Sequence, residues 1–120
     1  MTLAEDIARA TIAFEARANE GTARLRFAGD EVFFKGHFPE QPVLPAVVQV
    51  AAAVDFASRI AGQPLRLSEV TRAKFTNPTG PGRELVLQVS IEPVQEGKRR
   101  VKALLRDGEL DVAELNLRVV

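Results

Sequence analysis

The segment covering residues 46–61 restricts the fold of this chain more than any other feature of its sequence. Pro45 suits a helix start, because the N–H that proline lacks has no partner inside a helix, and Gly62 suits the left-handed position that ends one. Drawn as a helix, the segment has apolar side chains on nearly every side, namely Val47, Val48, Val50, Ala51, Val54, Phe56 and Ile60. A helix that is apolar all round is enclosed by other structure. In a chain of 120 residues this predicts one central helix wrapped by the rest of the protein.

Much of the remaining sequence alternates between apolar and polar residues, which is typical of half-buried strands. Strands are expected over residues 11–18, 23–27, 65–75, 85–91, 101–105 and 110–119, and residues 3–10 suit a short helix. Turns are expected at residues 19–21, 77–82 and 107–108. The apolar phase slips between Val112 and Ala113, which predicts a bulge. The predicted fold class is α+β, with an antiparallel sheet of five or six strands around the buried helix, in one domain over residues 1–120.

The charge balance and the residue types exclude several classes of protein. Basic and acidic residues number 16 each, so a nucleic-acid-binding surface is not expected. The absence of cysteine excludes disulfides and a cysteine nucleophile, and one histidine is too few for an imidazole zinc site. The first ten residues include Glu5, Asp6 and Arg9, unlike a secretory signal. The longest uncharged stretch, residues 41–54, is shorter than the roughly 20 residues that span a membrane, so a cytoplasmic protein without a membrane span is expected.

Residues 35–46, with the sequence KGHFPEQPVLPA, hold the chain's only histidine, His37, and three prolines. An imidazole can accept a proton near neutral pH, and prolines stiffen the loop that positions it. The loop leads directly into the apolar helix. A histidine in a rigid loop against an apolar helix suits a general base beside an acyl tunnel, although a lone histidine without such surroundings is more often structural.

Two parts of this motif resemble a known family of enzymes. The segments Gly36-His37-Phe38-Pro39 and Pro42-Val43-Leu44-Pro45 resemble the hotdog-fold 3-hydroxyacyl-acyl-carrier-protein dehydratases, whose pattern reads G-H-F-P-x-x-P-[VI]-[LM]-P-G. Ala46 replaces the last glycine. Residues 73–78 with 81–82, and residues 107–109, are similar to the family's later strand, Pro-Gly turn and final hairpin. The short chain and Gln49 are most similar to the small thioester dehydratases linked to aryl-polyene synthesis.

The resemblance implies a hotdog fold, a dehydration reaction and a set of roles. His37 would be the base that removes the proton next to the thioester carbonyl, and the Ala46 backbone N–H would polarise the carbonyl oxygen. The substrate would be a 3-hydroxyacyl thioester on acyl carrier protein or coenzyme A, with no metal or redox cofactor. A homodimer or a dimer of dimers is implied. The residues expected to contact the acyl substrate are Phe38, Val43, Pro45, Val47, Val50 and Ala51.

One position departs from the family. The resemblance implies a Glu or Asp on the helix of the other subunit, fourteen residues after the histidine, where this chain has Ala51. The best substitute is Asp55, one helical turn later on the same face and displaced by about 6 Å. Glu40 is a weaker substitute because loop carboxylates are usually solvated. Asp55 could instead pair with Arg59 four residues on, or lie at a dimer contact.

Three functions are consistent with these residues. The first is a dehydratase with His37 as base and Asp55 as acid. The second is a non-catalytic subunit that binds acyl thioesters, has lost the acid and pairs with an active homologue. The third, a hotdog thioesterase, is less favoured because hydrolysis needs a carboxylate placed to activate water. Arg72, Lys74 and residues 98–100 could attract a phosphate or an acidic carrier protein, but such cations are more often solvated surface.

Overall fold

The computed structural model describes residues 1–35 and 41–120, so His37, Phe38 and Glu40 lie outside the described residues. The elements are two α-helices, six strands and a single turn of 3-10 helix at Val32–Phe34. The helices are α1 (Leu3–Ala10) and α2 (Ala46–Ala61). The strands are β1 (Thr11–Arg17), β2 (Glu20–Leu25), β3 (Leu67–Phe75), β4 (Leu85–Ile91), β5 (Arg99–Asp107) and β6 (Leu110–Val119).

The six strands form one antiparallel sheet in the order β1-β2-β4-β5-β6-β3, which confirms the predicted class. One face of the sheet is apolar because side chains alternate along each strand. In β4, for example, Leu85, Leu87, Val89 and Ile91 are buried against α2 while Gln88 is exposed. Both β1 and β3 are edge strands, and every residue of β3 is exposed.

The central helix α2 begins and ends where the sequence predicts. Pro45 is its N-cap, and Gly62 ends it in the left-handed region with φ of 72°. The side that packs on the sheet is formed by Val48, Ala52, Ala53, Phe56 and Ala57, all buried. The prediction of a helix enclosed on all sides is wrong for the single chain. A single curled sheet covers one side of a helix, and here Val47 stays 68% exposed on the other.

Two of the predicted turns are displaced by one or two residues. Arg17 pairs with Glu20, so the first turn consists of Ala18 and Asn19 instead of residues 19–21. Asp107 pairs with Leu110, so the last hairpin turns at Gly108 and Glu109. The strands predicted at residues 23–27 and 65–75 begin at positions 20 and 67.

The predicted bulge in β6 is confirmed. Leu105 pairs with Ala113 while Arg106 pairs with Asp111, which leaves Val112 as the extra residue. Val112 and Ala113 are each 1% exposed. The bulge therefore lets two successive side chains face the core, which regular alternation would forbid.

Over the described ranges 1–35 and 41–120, neither helix combines the length and the apolar character needed to cross a membrane.

Candidate active site

The end of the motif, residues 41–45, is held against the turn that follows β3. The Leu44 N–H donates to the Thr79 carbonyl oxygen at 2.7 Å, and the Leu44 carbonyl accepts from Gln49 Nε2 at 3.1 Å. The Pro42 carbonyl oxygen packs on Gly80 so closely that a Cβ there would lie 2.5 Å from it. Glycine is therefore required at position 80 by this contact. The contacts fix the chain immediately before α2.

The Ala46 N–H lies at the start of α2 and has no partner within the helix. The first intrahelical bonds are donated by Val48 and Gln49 to the Pro45 carbonyl, so the amides of Ala46 and Val47 precede them. Ala46 is exposed and does not have a positive φ. Alanine is compatible with this backbone, because only a positive φ would require glycine. An amide at a helix start without an intrahelical partner can stabilise a developing negative charge.

An apolar groove of about 810 Å³ runs along the uncovered side of α2. Its walls come from α1, from α2 and from residues 62–67. Three of the predicted substrate contacts, Val47, Val50 and Ala51, line it. Val43 and Pro45 are half-buried in the preceding loop and do not line it, and Phe38 lies outside the described residues. The groove therefore has the apolar character that an acyl chain needs.

Asp55 lines the same groove as Ala51, in agreement with the predicted shared face. Its Oδ2 lies 3.1 Å from Arg59 Nη2, so the alternative ion pair is present. The contact lacks hydrogen-bond geometry, and Oδ2 is shielded from solvent without a hydrogen bond from the described residues. The side chain as a whole is 29% exposed. Arg59 is also held over the Phe56 ring, 4.7 Å from its centroid. Asp55 therefore lies on the wall of the groove with its carboxylate paired to Arg59.

Gln49 is a site residue whose contacts sequence reasoning missed. It is 6% exposed, and its Oε1 accepts no hydrogen bond from the described residues, whereas Nε2 binds Leu44. A buried amide costs free energy unless it is hydrogen-bonded. A single glutamine among the apolar residues 46–54 was the signal in the sequence that pointed to a polar contact here.

The chain that enters the motif is fixed by a cluster of charges on α1 and residues 28–31. Arg9 binds Asp30 through two hydrogen bonds, the shorter one 2.6 Å, and approaches Glu31 at 3.4 Å. The buried Glu31 carboxylate accepts the N–H groups of Ala28 and Gly29. The hydrogen bond from Arg9 lowers the pKa of Asp30. This cluster lies outside the groove and stabilises the segment that leads to the motif.

The basic residues considered as phosphate contacts lie away from the groove. Arg72 lies on the outer face of the sheet beside Lys102 and Glu114, and Lys98 lies beside the β4–β5 turn. Neither these residues nor Lys74 lines the groove. In the part of the chain that the structure describes, no three His, Cys, Asp or Glu side chains are grouped to hold a metal ion.

An antiparallel sheet around a central helix, with an apolar groove next to the start of that helix, defines a class of protein, the hotdog-fold proteins. A solved structure of the dehydratase heterocomplex ApeI:P from Xenorhabdus doucetiae superposes with a TM-score of 0.75 at 23% identity, covering 91% of this chain and 95% of that one. Cj0977, a sigma28-regulated virulence protein from Campylobacter jejuni, superposes with a TM-score of 0.68 at 16% identity, covering 99% and 95%. At these identities the superpositions establish the fold alone.

The sequence comparisons identify the family. The family model for ApeI-like proteins, described as ApeI dehydratase, matches residues 13–109. The 3-hydroxyacyl-[acyl-carrier-protein] dehydratase FabZ of Polaromonas sp. strain JS666 is 31% identical over 98 residues, covering 73% of this chain and 68% of that protein. The FabZ of Caldanaerobacter subterraneus subsp. tengcongensis is 30% identical over 98 residues, covering 76% and 70%. The chain belongs to the ApeI-like dehydratase family.

Proposed function

We propose that this protein is a dehydratase that removes water from 3-hydroxyacyl thioesters carried on acyl carrier protein or coenzyme A. The observation that carries the proposal is the Ala46 N–H, which has no partner within the helix, ends the histidine motif and directly precedes Val47 of the apolar groove. The groove would bind the acyl chain, and the Ala46 amide would donate a hydrogen bond to the thioester carbonyl oxygen. The relatives named FabZ support the substrate class, since their names specify 3-hydroxyacyl groups on acyl carrier protein.

Each proposed residue has one role in this reaction. His37 removes the proton on the carbon next to the thioester carbonyl, and the Ala46 N–H stabilises the negative charge that develops on the carbonyl oxygen. Asp55 donates a proton to the 3-hydroxyl as it leaves as water. The position of Asp55 on the wall of the groove, which Ala51 also lines, supports this third role.

We further propose that a second subunit covers the groove and the exposed edge of the sheet. Strand β3 is an edge strand, and Leu67, Val70 and Phe75 are each more than 40% exposed on it. Leu67 also lines the groove together with Val47, which is 68% exposed. Exposed apolar surface on an edge strand and beside a groove marks a contact with another protein. A homodimer, or a dimer of dimers, would bury it and would place Asp55 of one chain near the motif of the other.

Ala51 favours a second candidate function. Ala51 lines the groove where the resemblance implies an acid, and Asp55 is already engaged with Arg59. The chain would then bind acyl thioesters within a complex whose other, non-identical subunit supplies the acid. The ApeI:P structure, which has the same fold, is a dehydratase heterocomplex, and this makes an assembly of unlike subunits a concrete alternative.

A turnover assay with the purified full chain tests the proposed function. The protein is mixed with a 3-hydroxyacyl pantetheine thioester, and the conjugated 2-enoyl product and free thiol are both followed. The proposal predicts enoyl product without free thiol. Release of thiol instead would identify a thioesterase, and saturable binding without either product would support the non-catalytic subunit.

The role of Asp55 is tested by comparing Asp55→Asn with Arg59→Gln. If Asp55 is the acid, Asp55→Asn lowers kcat at least about tenfold because no proton can be donated. Arg59→Gln leaves the carboxyl in place and removes its ion-pair partner, so we expect kcat to be retained. Equal kcat in the wild type and in Asp55→Asn would remove Asp55 from the mechanism. Equal losses of thermal stability in both variants would indicate that the ion pair is only structural.

A further inference from the structure

Leu44 attaches the described end of the motif, residues 41–46, to the rest of the protein. Its backbone N–H and carbonyl are both engaged, by Thr79 and by Gln49, and its side chain is 3% exposed. Only Pro45 separates Leu44 from Ala46. The position of the Ala46 N–H therefore depends on how firmly Leu44 is held.

Thr79, which binds Leu44 through its carbonyl, is itself held by a charged residue of the last hairpin. The Thr79 hydroxyl donates to Asp107 Oδ2 at 3.1 Å, and Thr79 is only 7% exposed. On its other side Asp107 accepts from Arg83, whose Nε lies 3.0 Å from Oδ2 and whose Nη2 lies 3.0 Å from Oδ1. A continuous series of hydrogen bonds thus runs from Arg83 through Asp107 and Thr79 to Leu44.

The carboxylate in this series stays ionised at the pH where a histidine base works. The hydrogen bond from Arg83, and after it the hydrogen bond from Thr79, lower the pKa of Asp107. A carboxyl group whose pKa is lowered by folding contributes stability above its unfolded pKa and loses it only as the pH falls through the folded value. The contacts of Asp107 are therefore complete at neutral pH.

We propose that Thr79 and Asp107 are positioning residues of the active site, which hold Leu44 and thereby fix the Ala46 N–H at the start of α2. This inference rests on the proposed function. Neither side chain lines the groove, so both act through the backbone of Leu44. Misplacing a reacting group by about 1 Å can cost on the order of 100-fold in rate, so a fixed Leu44 matters for catalysis.

The test combines amide hydrogen exchange with steady-state kinetics on the full chain. Thr79→Val removes the hydroxyl but keeps the carbonyl that binds Leu44, and Asp107→Asn removes the charge. In both variants we expect the Leu44 amide to exchange about tenfold faster, while the Ile91 amide, bound to the Asn19 carbonyl at the opposite end of β4 from the Asp107 pairing, does not change. We also expect kcat to fall about tenfold with KM within about twofold, because the groove itself is intact. Thr79→Ser should restore both values.

Two further variants distinguish a local change at Leu44 from a general loss of folding. Asp111→Asn is the matched control, since Asp111 is an aspartate of the same hairpin, bound by Arg106 at 3.0 Å, and does not contact Thr79. It should leave Leu44 exchange and kcat unchanged. Arg83→Gln alters the series at an exposed side chain, so it should raise Leu44 exchange without risk to the core.

The outcomes separate this inference from the proposed function. Unchanged Leu44 exchange in Thr79→Val, Asp107→Asn and Arg83→Gln would overturn the inference, and so would faster exchange with unchanged kcat. If the wild-type chain turns over no 3-hydroxyacyl thioester, the proposed function fails. The exchange measurements then still decide whether Asp107 holds Leu44.

Discussion

Replacing His37 by alanine should lower kcat for dehydration about 1,000-fold, because a positioned general base typically contributes 10²–10⁴-fold. His37 is the chain's only histidine, so no other imidazole can take over the role. The measurement is the rate of enoyl formation from a 3-hydroxyacyl thioester, with the melting temperature recorded in parallel. We expect the melting temperature to stay within a few degrees of the wild type.

Two variants make the His37 result specific. His37→Gln keeps a hydrogen-bonding side chain that cannot accept a proton near neutral pH, so it should lose as much activity as His37→Ala. Lys35→Ala changes an exposed residue two positions earlier and should leave kcat unchanged. A His37→Gln variant that retains most of its activity would show that the imidazole positions the substrate without moving a proton.

Replacing Ala51 by aspartate should raise kcat about 10- to 100-fold. Ala51 lines the groove one turn closer to the helix start than Asp55, at the position where the resemblance implies the acid. An apolar groove favours the protonated form of a carboxyl group, which is the form that can donate to the leaving hydroxyl. The same enoyl assay measures the gain, and we expect a lower melting temperature because a polar group replaces an apolar one.

The matched control for this gain is Ala51→Asn, which has nearly the same shape and no acidic proton. Its kcat should stay at the wild-type level or fall. Equal gains in Ala51→Asp and Ala51→Asn would mean that polarity in the groove, and not proton donation, limits the rate. No gain in Ala51→Asp would show that position 51 does not face the leaving group.

The helix and the bulge were predictable because single residues mark them. Pro45 and Gly62 delimit α2, since one lacks an N–H and the other adopts a φ of 72° that side chains disfavour. The bulge at Val112 was visible because two adjacent apolar residues cannot both face the core in a regular strand. In each case the feature depends only on neighbouring residues, so the sequence alone is sufficient to predict it.

The sequence pattern places the first turn at residues 19–21 because of Gly21, but glycine is required at that position for close packing and does not form the turn. Gly21 lies in β2, where a Cβ would come within 2.9 Å of Phe14 Cε1 and 3.0 Å of Ile60 Cδ1. The turn uses Ala18 instead, at a φ of 54°. Crowding by a side chain of α2 depends on tertiary structure, which a turn pattern does not contain.

Two features of the site could not be obtained from the sequence for the same reason. Apolar periodicity identified α2 as buried but could not show that one side of it is left open as a groove. The Asp107-Gly108 pair indicates a hairpin, which is present, but it does not reveal that the Asp107 carboxylate also binds Thr79, 28 positions away in the chain. Contacts between segments that are distant in the sequence depend on how the strands pair, and this pairing is known only from the structure.

The most direct test of this account is whether an acyl ligand brings its carbonyl to the Ala46 N–H. The ¹⁵N-labelled chain is titrated with a 3-hydroxyacyl pantetheine amide, in which a stable amide replaces the thioester. We predict saturable shifts of the Ala46 and Ala51 amide signals, while the Arg106 signal on the last hairpin stays in place. Saturable binding that leaves Ala46 unshifted, or no binding at all, would contradict the account.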